Sequence, residues 1–285
     1  MAKAKTKETE MQPEVTVEYL MSLGASEEEA KMLVGANQSG GSGLPFPALK
    51  VNYEFDAVDV CQFGSWMVNA QKEEGVLTSA DVITNGIKEK MNMVILASKF
   101  QYSKYDAVSG STSVSSNIFS SLGEAKAARD AKSGRPISEL KKKDDKIKMQ
   151  EIALVKVWSD TAKPVIAIAY IKGALLYGIN QMRNGLPNNG NLMYEFAFNL
   201  EKKKNGSTNF VVVDEDSVVV NQRSMEDIKD NMKETSEAIK AFTSWVDTTN
   251  QSNTGVATTG SGGTAGSTGS QEVIDDADDD DLDFQ

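Results

Sequence analysis

The chain has 285 residues, 40% of them hydrophobic and 25% charged, with no histidine and one cysteine, Cys61. That leaves room for one large or two small cores. It excludes Ser-His-Asp and Cys-His catalysis, histidine-containing and Cys-cluster zinc sites, and an intrachain disulfide. The formal net charge of -11 is unevenly spread. Eight acids and no base fall between Glu272 and Phe284, which leaves the rest of the chain at 33 acids against 30 bases, whereas Lys88 to Lys204 holds 20 bases against 11 acids. A basic middle joined to an acidic end points to a polyanionic ligand and to something that competes with it. No run approaches the roughly 20 apolar residues needed to span a bilayer. The opening MAKAKTKETE lacks the apolar stretch of a secretory signal. The expectation is a soluble, cytoplasmic protein with a reduced, buried thiol.

In chain order, two short helices are expected within a 1–37 segment, at about 15–23 and 26–34. Gly24-Ala25 makes the turn between them, and Ser26 with Glu29 gives a capping box. The stretch EYLMSLGASEEEAKMLV resembles the first half of a ubiquitin-associated-type helical module; a plain helical hairpin used for packing or self-association fits it as well. QSGGSG at 38–43 is a linker pattern. In LPFPALKVNYEFD, Pro45 and Pro47 hold the entry extended, and Leu49, Val51, Tyr53 and Phe55 alternate as in a half-buried strand. Further strands are predicted at 64–70 and 91–105. A Ser-rich loop is expected over 106–122, and a basic, partly helical insertion over 123–150. Strands at 151–158 and 164–170 form a pair, followed by a helix at 171–183. Strands at 192–200 and 208–216 form a hairpin through Asn205-Gly206. An amphipathic helix over 224–246 is capped by Ser224 and Asp227, with Met225, Ile228, Met232, Ile239, Phe242 and Val246 on one stripe. Residues 249–271 have almost nothing to bury and read as a disordered linker; the acidic tail, 272–285, follows.

The predicted fold is mainly β with inserted helices (α+β). It comprises an OB-fold-like barrel in a 44–248 body, an N-terminal helical pair and a disordered acidic C-terminal tail; a β-sandwich is the alternative.

Motifs for catalysis are missing: no GxxxxGK[ST], no GxGxxG and no GxSxG. No enzyme activity, cofactor or metal is expected, although acid pairs such as Asp56 with Asp59 and the run Asp214-Glu215-Asp216 keep a magnesium-dependent nuclease in view. Binding has better material. Single-stranded nucleic acid needs aromatic faces for bases and cations for phosphates. KFQYSKY supplies both in seven residues, as Lys99, Phe100, Tyr102, Lys104 and Tyr105. On a strand Phe100 and Tyr102 share one face and Lys99 the other, and the same rings would also serve a core. Trp158 is a further candidate ring with the same two readings. Lys126, Arg129, Lys132 and Arg135 recur at three-residue steps before Lys141, Lys142 and Lys143. They suit phosphate contacts or a solvated helix. In DDADDDDLDF, residues Asp278, Asp279, Asp280, Asp281, Leu282, Asp283 and Phe284 make a peptide whose carboxylates steer toward a basic patch while its ring fills a pocket.

A body with strand-borne aromatics and lysines, a Ser/Gly/Thr linker and a DDADDDDLDF tail resembles the single-stranded DNA-binding proteins of bacteria and tailed phages. The resemblance implies an OB-fold body and stoichiometric coating of single-stranded DNA in replication or recombination. It also implies recruitment of replication or recombination proteins through the tail, in the cytoplasm of a bacterial host if the chain is phage-encoded. The competing expectation is a phage structural or scaffold-type interaction protein assembled through the 224–246 helix.

Overall fold

In the computed structural model the described residues are 44–53, 57–106, 111–130, 133–141, 147–205 and 208–254, with Met21, Ser22, Gly24, Ser26 and Glu27. Apart from those five residues the expected N-terminal helical pair lies outside the described set, as does the acidic tail. So does all of the 249–271 linker except its first residues, which continue a helix to Thr254.

The described residues form eleven strands and five α-helices. The strands are β1 (Ala48–Val51), β2 (Trp66–Glu73), β3 (Val76–Val82), β4 (Met91–Asp106), β5 (Ser111–Ser115), β6 (Lys148–Trp158), β7 (Val165–Lys172), β8 (Tyr194–Phe198), β9 (Leu200–Asn205), β10 (Thr208–Val213) and β11 (Val219–Gln222). The helices are α1 (Leu122–Lys126), α2 (Ile137–Lys141), α3 (Gly173–Arg183), α4 (Met225–Asp230) and α5 (Met232–Thr254). Eight strands run in the order β11-β8-β4-β6-β7-β1-β2-β3, with β5 added beside β4. This sheet curls into a half-barrel. All its pairings are antiparallel except β1 with β7. β9 and β10 form a separate two-stranded ribbon.

Several expectations change in detail. The strand expected at 49–55 stops at Val51. The one expected at 192–200 is broken at Asn199, so that β8 joins the main sheet and β9 leaves it. The single helix expected at 224–246 is two, parted at Asn231. β5 lies inside the segment expected to be loop. β3 and β11 carry weak apolar patterns and have no counterpart among the expected strands.

Both faces of the central strands are covered, which is why β4, β6 and β7 read as long apolar runs instead of clean alternations. The inner face (Met91, Met93, Ile95, Ala153, Val155, Val157, Ala167, Ala169) meets Leu175, Leu176, Ile179 and Met182 of α3. The outer face (Val94, Leu96, Ile152, Leu154, Ile168) meets Ile228, Ala238, Ile239, Phe242 and Val246 of α4 and α5, the stripe the sequence predicts. Burying each large apolar side chain contributes about 1.5–3 kcal/mol. Polar contacts fix both covers. Outside, the Lys156 ammonium donates to Asn231 at 3.0 Å and to Glu234 at 2.6 Å. The Asn250 amide bonds both backbone groups of Ile118, at 2.7 and 2.9 Å. Inside, Arg183 at the end of α3 forms a two-pronged pair with Glu151, at 2.7 Å on each prong. Ser98 and Asn180 complete that network.

Against β6 the register of β4 is interrupted once, between Ile95 and Ala97. Leu96 and Ala97 consequently both face outward. Alternation then resumes with Lys99 outside, opposite Ile152, and Phe100 inside, opposite Glu151.

Because Glu151 and Arg183 are both buried, removing one strands the other's charge. Glu151→Ala is expected to lower stability by about 3–5 kcal/mol, read as a fall in the urea midpoint. The joint replacement Glu151→Leu with Arg183→Met is expected to restore most of that loss.

Candidate nucleic-acid interface

The predicted basic and aromatic residues separate into four groups. Phe100 and Tyr102 sit on the inner side of β4, where Tyr102 is half-buried against Phe119 and against Ala128, Ile137, Leu140 and Ile147 of the insertion. The edge beside them is filled by 116–119: Phe100 exchanges both backbone hydrogen bonds with Phe119, at 2.9 and 2.8 Å. Lys141, exposed at the end of α2, holds its ammonium 5.9 Å from the centre of the Tyr102 ring. Burial of the phenol pushes its pKa up. A ring backed by a small apolar core on one side and with a lysine over it is an arrangement a base can use.

The second group is turned inward. Lys99 is only 8% exposed and donates to Ser120 at 3.0 Å. Burial pulls its pKa below the ordinary lysine value, while the carboxylates of Asp247 and Glu124 pull it back. The inverted alternation after Leu96 sends Lys99 under α5, so it is withdrawn from the basic surface that the sequence assigned it to. Trp158 is half-buried against the outer cluster beneath α4 and α5, which is the core reading of that ring. The third group serves the insertion's own turn. Arg129 donates to the Gly134 carbonyl at 2.8 Å, and Arg135 pairs with Glu139 at 3.7 Å with both side chains largely exposed. The two arginines do not share a helical face, because both fall outside α1 and α2. Lys104 is half-buried where β4 meets β5. The remainder fall outside what is described: Lys132, Lys142 and Lys143 entirely, Tyr105 and Lys126 in their side chains, and Asp278, Asp279, Asp280, Asp281, Leu282, Asp283 and Phe284 of the tail.

The structure adds a second cation–ring site. Lys202, Lys203 and Lys204 are exposed on β9. The Lys202 ammonium lies 5.2 Å from the centre of the Phe63 ring. On the opposite face Lys203 pairs across the ribbon with Phe210. The ribbon is held over α3 by buried Leu200, Val211 and Val213. Gly178 makes that approach close, since a Cβ there would lie 2.8 Å from Val213. At its base the Leu200 amide donates to the Ile87 carbonyl at 3.1 Å. Ile87 in turn packs on Gly64, whose φ of +79° and lack of a side chain let the Phe63 loop close against it. Exposed Lys88 and Lys90 flank this contact. The run KKK followed by Asn-Gly was a visible signal for a basic hairpin. Phe63 was not visible, because its pairing with Lys202 is made by the fold.

Among the described residues no three His, Cys, Asp or Glu side chains gather to hold a metal ion, and no helix is long and apolar enough to cross a membrane. No family model, curated protein or solved structure matches the chain.

The burial of Lys99 gives a pH-dependent expectation. Its folded pKa lies below its unfolded value, so the cost of burying the charge is carried in full below the folded pKa. That cost is relieved as pH rises toward the ordinary lysine value of about 10.4. Lys99→Met is therefore expected to raise the melting temperature at neutral pH, with the gain shrinking as pH approaches about 10. A gain independent of pH would contradict the assigned cause.

Proposed function

We propose that this chain is a single-stranded DNA-binding protein that coats exposed strands without catalysing a reaction. The observation that carries the reading is the pair of cation–ring sites, Lys141 with Tyr102 of β4 and Lys202 of the β9–β10 ribbon with Phe63 of the loop before β2. An exposed lysine over a ring is worth about 0.5–1 kcal/mol, whereas a base stacked on an aromatic is worth about 1–3 kcal/mol. A base therefore displaces the ammonium, and the ammonium moves to the neighbouring phosphate, so both groups gain. Bases are held by their faces, which all four share, so little sequence preference follows.

In this reading residues 44–248 are an OB-like binding body, and 272–285 are a tail that recruits replication or recombination proteins of a phage-infected cell. With its run Asp278-Asp279-Asp280-Asp281 the tail is also a crude polyphosphate mimic, able to occupy the same lysines when DNA is absent. One observation favours the alternative of a structural or scaffold-type interaction protein. β11 ends the sheet, and its Val219 and Val220 are exposed, which suits strand addition by a protein partner.

A salt titration with a fluorescent oligo-dT of about 20 nucleotides tests the proposal. Binding is expected to prefer single strands over duplex and to weaken linearly in log-log form. Each phosphate-contacting lysine removed, Lys202→Ala or Lys204→Ala, should shallow the slope by about 0.7. Tyr102→Ala is expected to cost about 1–3 kcal/mol of binding. Equal affinity for duplex and single strand would overturn the reading.

A further inference from the structure

We propose that the two cation–ring sites are the two ends of a single track, so that one strand of nucleic acid engages both at once across the segment 173–193. The proposal rests on the single-strand reading above and adds to it a path between two footholds.

Both sites hang from the same edge of β4. At one end Met91 pairs with Phe198 of β8, and the chain passes from there directly into the ribbon that carries Lys202. At the other end the same edge is taken by 116–119 and then β5, and the insertion built there presents Lys141 to Tyr102. Met91 and Tyr102 are eleven residues apart on one strand, which at roughly 3.3 Å per residue is up to about 36 Å. The stretch between them is bridged by α3 and the loop after it. Arg183 reaches Glu151, opposite Phe100, and Leu192 donates its amide to the Ile95 carbonyl at 2.9 Å. The whole of 173–193 contains no aspartate or glutamate, and its single charge is that of Arg183. Its exposed positions are Gly173, Tyr177, Gln181, Asn184, Gly185 and the turn at Pro187 to Asn189. In a chain of formal charge -11, a carboxylate-free bridge between two lysine-bearing rings is a surface over which a polyanion passes without repulsion.

The separation makes the two ends independently testable. At physiological salt the screening length is about 8 Å, so a charge change at one end acts there and not at the other. Two linked footholds multiply on a strand long enough to span them and merely add on a strand too short to do so. The exposed lysines are the places to test this, since neither supports the core. Lys141→Glu and Lys202→Glu, each checked for an unchanged melting temperature, would be compared by competition on oligo-dT of about 4 and about 25 nucleotides. On the long strand each variant is expected to weaken binding at least tenfold. On the short strand each should weaken it by no more than about twofold, with the joint variant removing short-strand binding. If one variant weakens both lengths by the same factor and the other weakens neither, there is one foothold and no track. If the unaltered protein binds the long strand no better than duplex, the single-strand reading itself fails, which is a different result from loss of the length dependence.

Discussion

The architecture depends on three strands that water does not reach from either side. β4, β6 and β7 have buried residues on both faces, so each face needs its own cover. The chain supplies α3 inside and α4 with α5 outside. Each helical cover is pinned by charge-assisted or two-pronged hydrogen bonds: Arg183 on Glu151 at the end of α3 inside, Lys156 on Glu234 and Asn250 on Ile118 toward the two ends of α5 outside. Such bonds contribute modestly when made and cost far more when half-made. Their role is to fix where the helices lie. The β9–β10 ribbon then rests on α3 as a third layer, so the place of Lys202 is set by a stack reaching back to the central strands.

The same economy shapes the two cation–ring sites. A ring used by a passing base has to be exposed on one face, and an exposed ring loses burial energy. Here Tyr102 and Phe63 each lean on apolar neighbours, Ile137 and Ile147 in one case and the main inner cluster in the other. That keeps them half-buried, with lysines over them. The cost of exposing them is reduced by the same packing that sets their orientation, which under the proposed function is preorganisation.

Legibility in the sequence followed locality. The β6–β7 pair, α3, the Ser224 cap and the stripe from Ile228 to Val246 were all readable, because their signals lie within one turn or one strand. The outer helix was nevertheless predicted as one element, since Asn231 carries no strong breaking signal. At the break Asn231 is the C-cap of α4 and accepts from Lys156, a contact made only by the fold. Phe100 and Tyr102 were correctly set on the face opposite Lys99. That Lys99 would be the buried one depended on what covers each face, and α5 is more than a hundred residues away. Trp158 was ambiguous for the same reason. The lysines of β9 were visible as a run, but their value came from Phe63, placed beside them by the Gly64–Ile87–Leu200 contact.

The interruption at Leu96 has a further consequence, best put as one of phase. Side chains on a strand keep time with a period of two, and the extra residue in β4 shifts that beat by one step halfway along. Upstream of it the odd-numbered residues face the barrel, and downstream the even-numbered ones do. Were β4 to run past β6 with every residue paired and no extra position, the residues before Leu96 would stay in step and everything after it would invert. Lys99 would turn into the barrel against Arg183, and Phe100 and Tyr102 would turn out beneath α5. The aromatic face of this protein is thus specified less by which residues it contains than by a single unpaired position that decides on which side of the sheet they arrive.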